Sequence, residues 1–215
     1  WSRSAGFLPP DRRSAPVDDE AANGDSWRES PLSAAVTPLD DQLSRLAWDY
    51  DMVVAVADHR GRILWTHGGR TMLRRAAEVN FVPGGRWDES SIGTNALSIA
   101  LHEGRPASVF AAEHYSPAVH GWVCYAAPIV DASTARQVGV LDLSTTWDRS
   151  NPMALDTAVA LARAASALLP SAVLVDAPGH VDTFTLTMLG RGAARLGSTP
   201  LLLTHRQTEI AALLA

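Results

Sequence analysis

The apolar positions of this chain change period several times, and each change predicts an element. In "PLDDQLSRLAWDY" Leu39, Leu43, Leu46 and Tyr50 stand at i, i+4, i+7 and i+11, one face of a helix with Asp40 and Asp41 in its first turn. "MVVAVAD" is an apolar, β-branched run, "DHRGR" a turn and "ILWTHG" a second strand, so residues 52–68 predict a β-hairpin. A short helix over 70–78 follows, then a loop carrying Pro83, Gly84 and Gly85. "SSIGTNALSIALHEGRP" predicts a helix over 92–103, capped by Ser90 or Ser91 and stopped by Gly104 and Pro106. Its inward stripe is Ala96, Leu97, Ala100 and Leu101.

"PASVFAAEHY", "GWVCYAAPIVD" and "RQVGVLDLS" read as three strands, the last two joined by the turn "DASTA", and a helix over 152–169 closes the unit. The strands follow one another too closely for parallel crossovers. The fold class is therefore α/β in the α+β sense, a central antiparallel sheet flanked by helices.

The pattern weakens on both sides of residues 38–170. Residues 1–37, rich in Pro, Ser, Arg, Asp, Glu and Ala, have no sustained period and predict an irregular tail. Trp1, Phe7 and Trp27 are its docking candidates. In 171–215, "TFTLTML" and "PLLL" are short strands, and Thr204 with Gln207 forms a capping box for a last helix. The chain stops inside that helix, so a continuation is expected.

Composition narrows the setting. The 215 residues are 47% hydrophobic and 19% charged, and no apolar run is long enough to span a bilayer. A net charge of −5 excludes a broad basic surface able to hold nucleic acid by itself. One cysteine, Cys124, rules out an internal disulfide framework and fits a reducing, cytoplasmic setting.

An ordered set of motifs then adds to the pattern: Gly93-Thr94-Asn95-Ala96, Gly104-Arg105-Pro106, Glu113-His114, Trp122 with Cys124, Ala127-Pro128-Ile129, and Gly139 to Leu143 as "GVLDL". Over residues 38–170 the chain resembles the GAF domain of bacterial transcriptional regulators of the acetoin-catabolism type. Residues 171–215 look like the start of a winged-helix DNA-binding region found behind such domains in actinobacterial regulators. No GxxxxGK[ST] sequence occurs, so the ATPase module of the acetoin-type regulators has no signature here.

The resemblance implies a GAF/PAS-like sheet with a pocket for a small organic effector, no cofactor, DNA contact through the C-terminal module, and homodimers formed by the two bounding helices. The expected pocket residues are Phe81, Thr94, Asn95, His114, Tyr115, His120, Trp122 and Cys124. Strand alternation puts Trp122, Cys124 and Ala126 on one face and Val123, Tyr125 and Ala127 on the other.

Rival readings of the same residues remain open. A lone Gly93 without a following Lys is too little for a phosphate cradle, so Gly-Thr-Asn is either a structural cap or a ligand wall. His120-x-x-x-Cys124 has tolerable metal spacing, which leaves a haem, metal or redox sensor as an alternative, against a buried, unreactive Cys. Glu113 and His114 have no third group to complete catalysis, and Asp142 reads as a backbone anchor. A free-methionine-sulfoxide reductase needs several cysteines. An effector-less dimerisation scaffold predicts a side-chain-filled cavity near Asn95, His114 and Trp122.

Overall fold

The computed structural model describes residues 8–9, 11–18 and 25–170, together with the backbone of three strands between 184 and 201. The chain divides into two compact units, residues 1–171 and 172–215.

In the first unit the elements run α1 (Asp25–Arg28), α2 (Pro31–Val36), α3 (Asp40–Asp49), β1 (Val53–Asp58), β2 (Ile63–Gly68), α4 (Arg70–Glu78), α5 (Glu89–Ile92), α6 (Ala96–Glu103), β3 (Ala107–Phe110), β4 (Trp122–Asp131), β5 (Arg136–Thr146) and α7 (Ala154–Leu168). The five strands form one sheet in the order β2-β1-β5-β4-β3, antiparallel throughout. The β4–β5 ladder is its longest, running from Trp122↔Thr146 to Asp131↔Arg136.

Period-two alternation on these strands sorts two cores. On one face Val54, Val56, Val123, Tyr125, Ala127, Leu141 and Leu143 pack beneath α2, α3 and α7. On the other, Val53, Ala55, Trp122, Cys124, Ala126 and Val140 pack beneath α4, α6 and the 79–87 loop. The expected separation of Trp122 and Cys124 from Val123 and Tyr125 is the one observed. Gly139, on β5, lets the helical layer approach closely: a Cβ there would lie 2.9 Å from Leu32 Cδ1 and 2.5 Å from the Ala57 carbonyl oxygen.

The N-terminal stretch differs from the expected tail. Ser30 caps α2, its hydroxyl accepting from Leu32 N at 3.2 Å, with Pro31 in the first turn. Leu32, Ala35 and Val36 are buried in the α3/α7 core. Six residues are too short to establish a helical period, so the pattern is invisible in the sequence. Trp27 stacks on Trp65 with ring centroids 5.6 Å apart.

A second departure lies at the helix expected over 92–103. It is broken: α5 ends at Gly93, whose φ of +86° no β-carbon tolerates well, and α6 starts three residues later. Asn95, not Ser90 or Ser91, caps α6. Its side-chain oxygen accepts from Ser98 N at 2.9 Å while Ser98 Oγ accepts from Asn95 N at 3.1 Å, a complete capping box. Gly104 closes the helix in the left-handed region at φ +63°.

In the second unit β6 (Phe184–Thr187), β7 (Ala193–Leu196) and β8 (Thr199–Leu201) form an antiparallel sheet in that order. Strand β6 falls within "TFTLTML" and β8 overlaps "PLLL", starting one residue earlier at Thr199, whereas β7 was not foreseen. The capping box at Thr204 and the helix after it lie outside the described residues.

Whether the N-terminal helix belongs to the fold is measurable. Leu32→Ala removes a side chain that is 2% exposed and is expected to lower the unfolding free energy in a urea titration by about 2–5 kcal/mol. A loss below ~0.5 kcal/mol, ordinary for a surface position, would return this segment to the tail.

Candidate functional site

A small cavity lies between the sheet and the start of α6. Its walls are Val79, Phe81, Trp87, Leu97, Val119 and Trp122, and its polar lining is Asn95, Cys124, Asp142 and Ser144. The free space is about 10 Å³, roughly what one water molecule needs. Phe81 and Trp87 meet edge to face with centroids 4.9 Å apart, closing one side.

Of the eight expected pocket residues, the structure brings Phe81, Asn95, Trp122 and Cys124 to this cavity. Thr94, His114, Tyr115 and His120 stand behind or beside its wall instead. His114 is fully buried: its Nδ1 lies 2.9 Å from the Ala111 carbonyl oxygen and its Nε2 3.3 Å from Cys124 Sγ. A ring whose Nδ1–H donates to a carbonyl has Nε2 free as an acceptor, so the Cys124 thiol donates to it.

Burial pushes the His114 imidazole down to about 4, leaving it neutral. Burial likewise raises the Cys124 thiol, further helped by the nearby Asp142 carboxyl. The result is a buried, neutral His–Cys pair in which the sulfur stays a thiol, whereas a nucleophile or a metal ligand requires the thiolate. Among the described residues no group of three or more His, Cys, Asp or Glu side chains is placed to hold a metal ion.

Thr94 and Tyr115 form a staple over the same wall. Thr94 Oγ1 donates to Glu89 Oε1 at 2.9 Å, and the Tyr115 amide donates to the Thr94 carbonyl at 3.0 Å. A Cβ on Gly93 would sit 2.5 Å from Tyr115 Cδ1, so the glycine serves both its positive φ and the approach of that ring. Tyr115 OH donates to the Leu8 carbonyl at 2.7 Å and Ser116 Oγ to that of Arg12 at 2.5 Å, fixing the 114–120 loop to the N-terminal segment. His120 Nε2 lies 3.1 Å from the His114 carbonyl. Gly-Thr-Asn thus holds the cavity's roof, with Asn95 alone reaching its interior.

Asp142 is the lining residue that sequence reasoning passed over. It is 1% exposed, aligned with Ala55 on β1 and Ala126 on β4, and its Oδ1 accepts from Ser144 Oγ. Burial pushes its carboxyl up to about 7, against a smaller lowering by the Ser144 hydroxyl. The alternation of "GVLDLS" carried the available signal, since it places Asp142 on the same face as Val140 and Ser144, not with the leucines.

The sequence profile described as "MimR, N-terminal domain" matches residues 1–169. The chain belongs to the MimR N-terminal domain family. Its relatives include the acetoin dehydrogenase operon transcriptional activator AcoR of Bacillus subtilis, 40% identical over 142 residues covering 65% of this chain and 23% of that protein. The propane 2-monooxygenase operon transcriptional activator MimR of Mycolicibacterium smegmatis is 28% identical over 155 residues, 71% of this chain and 26% of that protein.

An uncharacterized 47.3 kDa protein of Rhodococcus erythropolis is 32% identical over 146 residues, 67% of this chain and 33% of that protein. The chain therefore spans about a quarter to a third of the length of these curated relatives. The E. coli DhaR(N)–DhaL complex has the same fold, with a TM-score of 0.71 at 23% identity over 79% of this chain and 58% of that one. The resemblance to acetoin-type regulators, the sheet-and-helix class and the regulatory rather than enzymatic character all agree with these relatives. Among the described residues no helix is long and apolar enough to cross a membrane.

Two variants test the site's construction. Gly93→Ala is expected to destabilise the domain by about 1–3 kcal/mol and to increase proteolysis in the 114–120 loop. The second concerns pH. Because the folded state holds the Asp142 proton up to about 7 while the unfolded carboxyl releases it near 3.8, stability falls as pH rises through that window. At full ionisation the difference is at most ~4 kcal/mol. His114 imposes the opposite slope between 6.5 and about 4, in wild type and variant alike. Wild type minus Asp142→Asn stability, measured by urea unfolding at several pH values, should therefore decline from about pH 4 to 8; a flat difference would place the proton elsewhere.

Proposed function

We propose that this chain is the signal-receiving N-terminal region of a dimeric transcriptional activator, and that a small organic effector enters the cavity beneath α6. Residues 1–37, 38–170 and 171–215 are on this reading an N-terminal segment, the sensor, and the start of a module through which the full-length protein contacts DNA in the cytoplasm. The observation that carries the reading is a cavity lined by three aromatic side chains, Phe81, Trp87 and Trp122, with a few polar groups among apolar ones, the mixture small-molecule sites share.

Size sets the mechanism. Space for one water does not admit an organic molecule without a shift of Phe81, Trp122 or the stapled 114–120 loop. An effector of three or four carbons therefore selects an expanded state, and occupancy and rearrangement are one event. The operons named for AcoR and MimR concern acetoin and propane, molecules of that size.

Strands β4 and β5 carry the change onward, because their cavity-facing residues alternate with residues beneath α7. Tyr125, between Cys124 and Ala126, accepts a hydrogen bond from Asn151 N at 3.2 Å where α7 begins. On the outer side α3 and α7 border a groove of about 530 Å³ between Leu46, Tyr50, Met153 and Leu161. Trp48, Tyr50, Met153 and Leu168 are exposed on these helices and their edges, a surface suited to pairing with a second copy.

The scarcity of free space is what the effector-less scaffold predicts, and it also supports a second reading in which a protein supplies the signal. DhaR(N), of the same fold, is found in a complex with DhaL. The two separate experimentally. Thermal-shift titration of the 215-residue chain with three- and four-carbon alcohols, ketones and diols is expected to raise the melting temperature by a few degrees at ~100 Kd. No shift with any compound, alongside retained DNA binding by the full-length protein, decides for a protein signal or a scaffold.

A further inference from the structure

We propose that the N-terminal segment, Leu8 with residues 11–18, is a releasable strap across the cavity, and that its release is the step that opens the space beneath α6. What the opening admits rests on the effector reading, but the opening itself is tested without an effector.

The segment joins two loops that bring cavity walls from different parts of the chain. On one side it runs along the loop that supplies Val79, Phe81 and Trp87. Ala15 N donates to the Val79 carbonyl at 3.1 Å, and Asn80 Nδ2 donates to the Ala15 carbonyl at 2.7 Å. Arg86 N donates to the Pro16 carbonyl at 2.8 Å and Asp18 N to that of Gly84 at 2.9 Å, with Val17 and Gly85 paired as an antiparallel bridge. On the other side it holds the 114–120 loop, which supplies Val119. There Tyr115 OH donates to the Leu8 carbonyl and Ser116 Oγ to that of Arg12.

This hold is directional but shallow. Each of these hydrogen bonds uses a main-chain group of the segment. Its ion pair, Asp18 to Arg62 at 3.6 Å, joins side chains 41% and 33% exposed, and such a pair adds little. Leu8 and Ala15 are buried, whereas Pro9, Asp11, Arg13, Pro16 and Val17 are exposed. Lifting the segment therefore returns little apolar surface to water. A unit held by backbone hydrogen bonds and few apolar contacts opens well below the free energy of global unfolding.

The two loops differ in what remains once the strap lifts. The first keeps its own ties to the β1–β2 hairpin: Ile63 N to the Gly85 carbonyl at 2.9 Å, Gly84 N to that of Ile63 at 2.8 Å, and Trp87 N to that of Gly61 at 2.8 Å. The 114–120 loop loses both hydroxyl contacts, so Val119 is the wall that moves. A closed space of about 10 Å³ admits nothing larger than a water. The apparent affinity of any larger occupant is then scaled by the fraction of molecules with the strap released.

The test is amide hydrogen exchange of the 215-residue chain in wild type and two strap variants. Ala15→Asp puts a charge at a position 1% exposed, and Tyr115→Phe with Ser116→Ala removes both hydroxyls at the other end. A strap couples its ends reciprocally. Ala15→Asp should accelerate exchange at Tyr115 and Val119 at least ~10-fold, and the double variant should accelerate the Arg86 amide comparably. Leu32→Ala, which weakens the opposite face of the sheet, should leave Tyr115 and Val119 within about twofold of wild type. Xenon under pressure, followed by amide shifts at Leu97 and Val119, should bind both strap variants more tightly than wild type, by the factor that exchange reports.

Acceleration confined to the substituted end, or equal acceleration in Leu32→Ala, overturns the strap. Coupled exchange with unchanged xenon binding overturns its role at the cavity. Coupled exchange with tighter xenon binding, but no thermal shift with any alcohol, ketone or diol, upholds the strap and sinks the effector reading alone.

Discussion

The β4–β5 ladder is the constraint on which the rest of this domain depends. Ten residues of β4 align with β5 through Trp122↔Thr146 to Asp131↔Arg136, and successive side chains point to opposite faces. One set, Val123, Tyr125, Leu141 and Leu143, anchors the α2/α3/α7 layer. The other, Trp122, Cys124, Asp142 and Ser144, lines the cavity. A one-residue slip would exchange the two sets, placing Asp142 under the helices and a leucine in the cavity, so register and site are specified together.

Around that lining the cavity is closed by local devices rather than by bulk packing alone. Gly93 turns the chain with a positive φ and admits the Tyr115 ring, Asn95 spends its whole amide on backbone groups, and the N-terminal segment holds Tyr115 and Ser116 through the carbonyls of Leu8 and Arg12. Such a fully satisfied roof gives a single well-defined closed state, and any larger occupant must exchange it for another. On the proposed effector reading, this is how a filled site would serve as a receiver.

Much of the arrangement was legible in the sequence because it rests on period. The hairpin, the helix over 70–78, and the opposite facing of Cys124 and Tyr125 all follow from counting twos and threes along the chain. Helix α2 did not, since six residues after an irregular stretch give one turn and a half of pattern. The start of α6 was misplaced because Ser90 and Ser91 are ordinary caps, whereas the deciding feature is the φ of Gly93, which the sequence does not display. His114, Tyr115 and His120 drew notice for their chemistry, yet their hydrogen bonds go to backbone carbonyls and to Cys124 rather than into the cavity. Asp142 was passed over for the converse reason: a carboxyl between two leucines suggests an anchor, and only the three-dimensional structure shows it lining the cavity.

The central claim is that the two faces of this ladder move together. The Asn151 amide reports on it directly, since it donates to Tyr125 OH on the helix face while Trp122, three residues away, lines the cavity on the other. Hydrogen exchange of that amide should be measured in wild type and in Trp122→Phe, which alters the cavity without touching the helix layer. Coupled faces predict exchange at Asn151 accelerated several-fold, in step with amides around Cys124 and Ser144. Acceleration confined to the cavity face, with Asn151 unchanged, would contradict the account.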